Sequence, residues 1–246
     1  MPLSLTVLGS AGTYAGPGNA CSGYLVGDGT SSVWLDCGPG TLANLQRHVD
    51  LADLDAVAVT HSHPDHCLEL PLLRNALKYA IGRKDVPVFG PAGTLAVVEA
   101  VLGDAVAPTL DWRVVADGST FAVGDLSFAC SRTDHPVETL AVRIESDGRA
   151  LAYSADTGPG WSFERFGAPI DLALCEATLP PGSEDSLDQV HLSGREAGTI
   201  ARAAGATRLV LTHLWPTSNP DRHRHDAEAT FGAPVEMATV DTRYVL

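Results

Sequence analysis

The chain has 246 residues, 45% of them hydrophobic and 19% charged, with a formal net charge of −14. This length and apolar content suffice for the core of one α/β domain and exclude a chain disordered by composition. The charge argues against a protein that holds long nucleic acid through phosphate contacts, but not against one that takes a small anion at a metal site, where the ion inverts the local potential.

The N-terminal stretch MPLSLTVLGSAG has no basic segment and enters a strand pattern at residues 3–8. No apolar run is long enough for a membrane span, and the five scattered cysteines suit reduced, buried thiols, so a cytoplasmic location is expected. Gly9, Gly12, Gly16 and Gly18 follow, a turn-rich stretch without the lysine of a phosphate loop. Strands are predicted at 24–26 and 32–35, the latter ending in Asp36, a turn residue or an orienter of a metal-binding loop. A helix over 41–48 leads to a strand at 56–60, then a helix over 67–81, a strand at 86–89 and a helix over 94–102. Strands follow at 126–130, 140–144, 150–154 and 172–175. The next helix, 193–204, opens on a Ser193/Glu196 capping box and closes at Gly205. A strand at 209–212, a helix over 220–229 and a strand at 235–238 complete the chain. Hairpin-like strands first and helices afterwards predict two sheets with helices outside. AVAVTHSHP (56–64) and RLVLTHLWP (208–216) echo each other, as if two strands delivered their ends to one place.

The first of these strands runs into His61-Ser-His63-Pro-Asp65-His66. On extended backbone, residues two apart share a face, so His61 and His63 can meet one metal ion. Asp65 and His66, at the turn into a helix, can reach a second. His135, Asp156 and His213 border later apolar strands. Grouping His61, His63 and His135 on one ion, and Asp65, His66 and His213 on the other, gives each three ligands. Asp156 can bridge both, leaving room for a bridging hydroxide of the kind used in two-metal hydrolysis. The expected cofactors are two divalent ions, zinc foremost, with Mn2+ and Fe2+ as alternatives. His48, His223 and His225 are expected at the surface. Arg222 and Arg224 are rare basic residues near His213 that could meet substrate, with a solvated helix the preferred reading.

HSHPDH, the later His135, Asp156 and His213, and the start LTVLGSAGTYAG resemble the metallo-β-lactamase superfamily of hydrolases over essentially the whole chain. The resemblance implies an α+β fold, a four-layer αββα sandwich, as one domain over residues 1–246 with a dinuclear zinc site at the sheet edges. LALCEATL (172–179) and VHLSGREAGTIARAAGATRLVLTHL (190–214) further resemble the phosphodiesterase branch that contains the tRNA 3′-processing endonuclease tRNase Z. That likeness implies that Glu176 and His191 form a pair helping the leaving oxygen depart, while Cys175 stands where the branch often has histidine. Two departures argue against tRNA: no long basic glycine/proline-rich arm lies between His66 and His135, and Leu-Trp-Pro-Thr follows His213 in place of a Ser-x-Arg-Tyr-like stretch.

SGYLV, LQRHVD, DHCLELP, LAYSADTG, LCEAT, HLSGREAG and LVLTH are similar to actinobacterial cyclic-nucleotide-degrading phosphodiesterases. The implied activity is hydrolysis of small phosphodiesters such as 3′,5′-cyclic nucleotides, by attack of a metal-bridging hydroxide on phosphorus. Asp65, Glu176 and His191 are then the catalytic residues, and Asp65 is also a ligand. The alternatives are a lactonase or other carbonyl hydrolase on the same site, a tRNase Z-like endonuclease, and a non-catalytic zinc protein. The expected partner is a small-molecule phosphodiester, with no long nucleic acid and no membrane; the branch it resembles is often dimeric, which makes a homodimer one possible assembly and leaves the oligomeric state open.

Overall fold

Alternation along the strands decides the layering. In β1 (Ser4–Gly9), β2 (Gly23–Gly27) and β3 (Ser32–Leu35), Leu5, Val7, Tyr24, Val26, Val33 and Leu35 face a second sheet, while Leu8 and Trp34 face helices. The structure is a computed structural model and describes residues 2–184 and 189–246. With β4 (Ala56–Ala58), β5 (Val86–Gly90), β6 (Leu110–Val114) and β14 (Arg243–Val245), these strands form a seven-stranded sheet ordered β14-β1-β2-β3-β4-β5-β6. The second sheet comprises β7 (Thr120–Val123), β8 (Leu126–Arg132), β9 (Leu140–Ser146), β10 (Arg149–Tyr153), β11 (Ile170–Glu176), β12 (Ala206–Thr212) and β13 (Glu236–Met237), also seven strands in sequential order.

Helices α1 (Thr41–Leu45), α3 (Leu70–Asn75) and α4 (Ala92–Leu102) bear on the outer face of the first sheet, whose core includes Trp34, Leu45, Val57, Leu73 and Val98. Helices α5 (Gly194–Ala203) and α6 (Pro220–Phe231) cover the second, around Ala173, Leu209, Ala197 and Phe231. The result is the expected four-layer αββα sandwich. Among the described residues, no helix is long and apolar enough to cross a membrane.

Both sheets follow one plan. Each has three antiparallel pairings at one side and three parallel pairings at the other. In that plan β4 is equivalent in position to β11, not to β12, so the Thr-His echo does not mark matching strands. It does mark strands that deliver to one place. Beyond the strand ends the sheets are stitched by backbone: His213 N–H donates to Ser10 O at 2.9 Å, Gly12 N–H to Leu214 O at 2.9 Å and Leu140 N–H to Thr60 O at 3.1 Å.

The helix expected over 67–81 is broken. A short α2 (Pro64–Cys67) precedes it, and Pro71 in the first turn of α3 starts a new segment because its ring cannot continue an older one. Glu69, at the break, accepts from the N–H groups of Gly40 and Leu42 and so caps α1. A wider π-helical turn (Ala76–Ile81) ends the segment. The strands without a sequence signal, β6, β7 and β14, are all at sheet edges, where exposed Asp111, Arg113, Thr120 and Arg243 dilute the apolar pattern. His223 is corrected from surface to core: it lies on α6 at 1% exposure, whereas His48 and His225 are exposed.

Candidate metal centre

The chemistry-bearing residues stand where parallel strands end. Asp36 follows β3, His61 follows β4, Asp156 follows β10, Glu176 ends β11 and His213 follows β12, and these strands run parallel within their sheets. In the 61–66 motif, His63 is the extended N-cap of α2 (φ −65°, ψ 145°) and Pro64 opens the helix. His61 and His63 therefore stay on extended chain, while Asp65 and His66 turn with the helix. Thr13, Asp36, Ala155 and His213 all hold positive φ, 67°, 58°, 50° and 60° respectively. Four non-glycine residues in this sparse region, beside one cluster, mark backbone bent to aim side chains.

The cluster resolves into groups. His61, His63, His135 and Asp156 place ligand atoms within 4.8 Å of one another, as do Asp65, His66 and His213. Asp156 links them: Oδ2 is 3.5 Å from His61 Nε2, and Oδ1 is 3.3 Å from His66 Nε2 and 3.4 Å from His213 Nε2. A further grouping within the same limit joins Asp156, His191 and His213. Everything but the rim is buried; His63 and His191 are the half-buried residues through which the centre opens. A cavity of about 950 Å3 lies beside it, with Ser10, Thr212 and Leu214 in its wall.

Hydrogen bonds on the outer side of four of the rings fix their tautomers. His66 Nδ1–H donates to Asp36 Oδ2 at 2.8 Å, and His135 Nδ1–H donates to Val190 O at 3.0 Å. Thr60 Oγ1, 3.0 Å from both Asp36 carboxylate oxygens, gives its proton there and accepts from His61 Nδ1–H at 3.0 Å. Thr178 Oγ1 donates to Glu176 Oε2 at 2.7 Å and accepts from His213 Nδ1–H at 2.7 Å. The nitrogens that His61, His66, His135 and His213 leave facing inward are lone pairs, set against one another and against Asp65 and Asp156. His66 Nε2 is 3.1 Å from His213 Nε2, and His135 Nε2 is 3.2 Å from His63 Nδ1. Among the described residues, His61 Nε2 and Asp156 Oδ1 are buried without a hydrogen-bond partner. Acceptors converging on acceptors require a cation between them, and imidazole with carboxylate is the donor set of zinc and its neighbours. The residues present fit divalent metal.

Charges tell the same story. Burial opposes ionisation of Asp156, but His213, His66 and His61 hold its carboxyl well below the usual range. Burial works against a charge on His66, yet Asp156 and Asp36 push the ring well above an ordinary histidine, which marks the place as one that favours a cation. Burial lowers His61 to about 4, leaving its nitrogen free at neutral pH.

Beside the ligands, His191 Nδ1 is 2.9 Å from Glu176 Oε1. Burial alone would lower the ring's pKa, but the Glu176 carboxylate overrides it and raises it to about 9. Glu176 is fully buried and also accepts from Thr157 N–H (2.7 Å) and Thr178 N–H (3.3 Å). Cys175 points the other way, into the core under α5 and α6, so its difference from histidine leaves the centre untouched.

A family model described as a beta-lactamase superfamily domain matches residues 32–214. The chain belongs to that superfamily. Other superfamily proteins resemble it over nearly their whole lengths. The uncharacterized protein Rv1339 of Mycobacterium tuberculosis is 34% identical over 250 residues, covering 98% of this chain and 91% of its own. The probable metallo-hydrolase YhfI of Bacillus subtilis is 28% identical over 96% of this chain and 97% of its own, and its crystal structure superposes with a TM-score of 0.88 over 99% of this chain and 98% of that one. A ribonuclease Z of Mycobacterium bovis is 29% identical over 266 residues, 96% of this chain and 95% of its own. Within the superfamily this chain is a metallo-hydrolase whose His/Asp cluster binds divalent metal.

All the sequence-predicted residues, His61, His63, Asp65, His66, His135, Asp156, Glu176, His191 and His213, come together. Arg222 and Arg224 do not: both are exposed on α6, and Arg224 pairs with Asp221 at 2.7 Å. Gly12 acts as a spacer, since a Cβ there would lie 2.8 Å from His213 Nδ1. No sequence signal marks Thr13, whose N–H donates to Asp65 Oδ2 at 2.6 Å, or Tyr153, whose hydroxyl donates to Asp36 at 3.0 Å. Thr60 and Thr178 are open to recognition, since both sit inside the motifs THSHPDH and CEAT, but neither is among the predicted site residues.

Proposed function

We propose that this chain is a phosphodiesterase acting on small phosphodiesters such as 3′,5′-cyclic nucleotides. The observation that carries the proposal is the His191–Glu176 pair, a proton donor held 2.9 Å from a fixed carboxylate at the rim of the metal cluster. On this reading His61, His63 and His135 would hold one ion and Asp65, His66 and His213 the other, with Asp156 placed to serve both groups and zinc the preferred metal. Divalent ions there supply an activated water and neutralise the non-bridging phosphate oxygens. The residues do the rest. With Nδ1 engaged by Glu176, His191 offers Nε2–H to the departing alkoxide; the P–O bond breaks and the proton moves to that oxygen. Thr157 and Thr178 hold Glu176, so the donor cannot swing away. A carbonyl hydrolase would have less need of such a donor.

The net charge of −14 supports a small substrate over a polyanion, and residues 67–134 are taken up by strands and helices of the sandwich instead of a projecting arm. The 29% identity to a ribonuclease Z makes RNA cleavage the second reading. The test incubates metal-loaded protein with 3′,5′-cyclic AMP, an aryl phosphodiester, a precursor tRNA with a 3′ trailer and a simple lactone, with Asp65→Ala alongside. AMP formed by the intact protein and not by the variant is expected. Trailer cleavage without AMP would favour the second reading, and lactone opening alone would overturn both.

A further inference from the structure

Two buried tyrosines, unused by this chemistry, tie the sheets together beneath the centre. Tyr24 stands on β2 of the first sheet, yet its hydroxyl pairs with Thr212 Oγ1, on β12 of the second, at 2.6 Å. Tyr153 stands on β10 of the second sheet, yet its hydroxyl donates to Asp36 Oδ2, just past β3 of the first, at 3.0 Å. Each side chain crosses to the opposite sheet. Midway their rings meet edge to face, with centroids 5.2 Å apart and planes at 64°. Both are fully buried in the inter-sheet core, and burial pushes both phenols up, so they remain neutral donors.

What they hold is the footing of the ligands. Asp36 is the carboxylate that receives His66 Nδ1–H, so Tyr153 acts one hydrogen bond behind a ring that faces the metal. Thr212 immediately precedes His213. His61, His63, Asp65 and His66 come from the first sheet, and His135, Asp156 and His213 from the second. The spacing of the sheets therefore sets the distances between the two ligand sets. The geometry points to Tyr24 and Tyr153 as a crossed clamp, a pair of positioning residues that fixes this spacing, with Tyr153 governing the ion held by His66. The inference rests on the metal reading of the cluster and on no particular substrate.

The test titrates Zn2+ into metal-free wild type and Tyr153→Phe against a chromophoric chelator, with Co2+ in parallel to follow its ligand-field absorption. Phenylalanine keeps the ring and removes the hydroxyl alone. Expected are two ions on the wild type and, for Tyr153→Phe, about a tenfold loss of affinity at the ion held by His66, the low end of what partners behind a ligand contribute. The other ion should show a smaller loss, because its His61 reaches Asp36 only through Thr60. The Co2+ spectrum of the ion held by His66 should change as well. Tyr24→Phe should show a smaller loss, and the double variant less than the product of the two, because either break loosens the same joint. Ile144→Val, in the same core but without a polar group, should lower the melting temperature and leave both affinities alone. Unchanged affinities in Tyr153→Phe, with a lower melting temperature, would overturn the clamp and leave ordinary packing. If that variant does not fold, Tyr24→Phe decides by the same readout. A wild type that takes up no zinc would show it at the outset, and would overturn the metal reading and the clamp with it.

Discussion

Replacing His191 with alanine separates the proton donor from the rest of the centre. The ring makes one charge-assisted bond, to Glu176 Oε1 at 2.9 Å, with its side chain 19% exposed. Glu176 keeps Thr157 N–H, Thr178 N–H and the Thr178 hydroxyl, so it is not left alone in the core. The expected loss is that of one charged hydrogen bond, about 1.5–3 kcal/mol. For a chain of this size that lowers the melting temperature by about 3–12 °C, and the folded enzyme can still be assayed. The kinetic effect is larger and selective. A positioned general acid contributes about 10²–10⁴-fold, but only where the leaving group needs a proton. His191→Ala is therefore expected to lose about 10²–10⁴ in kcat on 3′,5′-cyclic AMP, which expels an alkoxide, and less than about tenfold on bis(p-nitrophenyl) phosphate, which expels a stable phenolate. Zinc content measured by elemental analysis should not change. Equal losses on the two substrates, or loss of metal, would refute the proton-donor reasoning.

Asp156→Asn keeps the size of a side chain only 2% exposed but removes the charge shared by the two ligand groups. Both ions and all turnover should be lost, and retention of either ion on elemental analysis would contradict a shared position. Gly12→Ala places a Cβ 2.8 Å from His213 Nδ1, so the ring must move; Zn2+ titration should show about a 10–100-fold weaker ion with no ligand altered. The pH dependence follows from His191, where Glu176 outweighs burial and raises the pKa from 6.5 to about 9. A pKa raised by folding contributes stability that is complete below pH 6.5 and lost as pH rises through about 9. Melting temperature and cyclic-nucleotide turnover should both fall on that alkaline side, and His191→Ala should flatten both curves. Metal uptake displaces the proton that Asp156 and Asp36 keep on His66, so Zn2+ affinity should rise with pH, and calorimetry in buffers of different ionisation enthalpy should register proton release.

The centre was legible because its residues are concentrated where apolar runs stop. His61, His63, Asp65 and His66 share one motif, and His135, Asp156 and His213 each border a strand that the alternation had already located. What holds those residues was not legible. Tyr153 is 117 positions from Asp36, and Tyr24 is 188 from Thr212; a hydrogen bond across such distances exists only once two sheets face each other. His223 looked exposed because it lies in the polar run SNPDRHRHD, but helical spacing turns it inward with Ala227 and Phe231. The edge strands β6, β7 and β14 escaped for the opposite reason, since pairing on one side only leaves their sequences half polar.

The backbone stitches between the sheets have a consequence for how the molecule breathes. The amides of Gly12, His213 and Leu140 cross from one sheet to the other within two residues of chain that carries, or presses on, the ligand cluster. Their exchange with solvent deuterium is thus a gauge placed on the joint itself. A fluctuation that parts the halves of the sandwich must break these bonds before it reaches the cores, and whatever sits among the histidines sets how often that happens. Occupancy of the centre and the slow opening of the whole fold are then one motion, readable amide by amide.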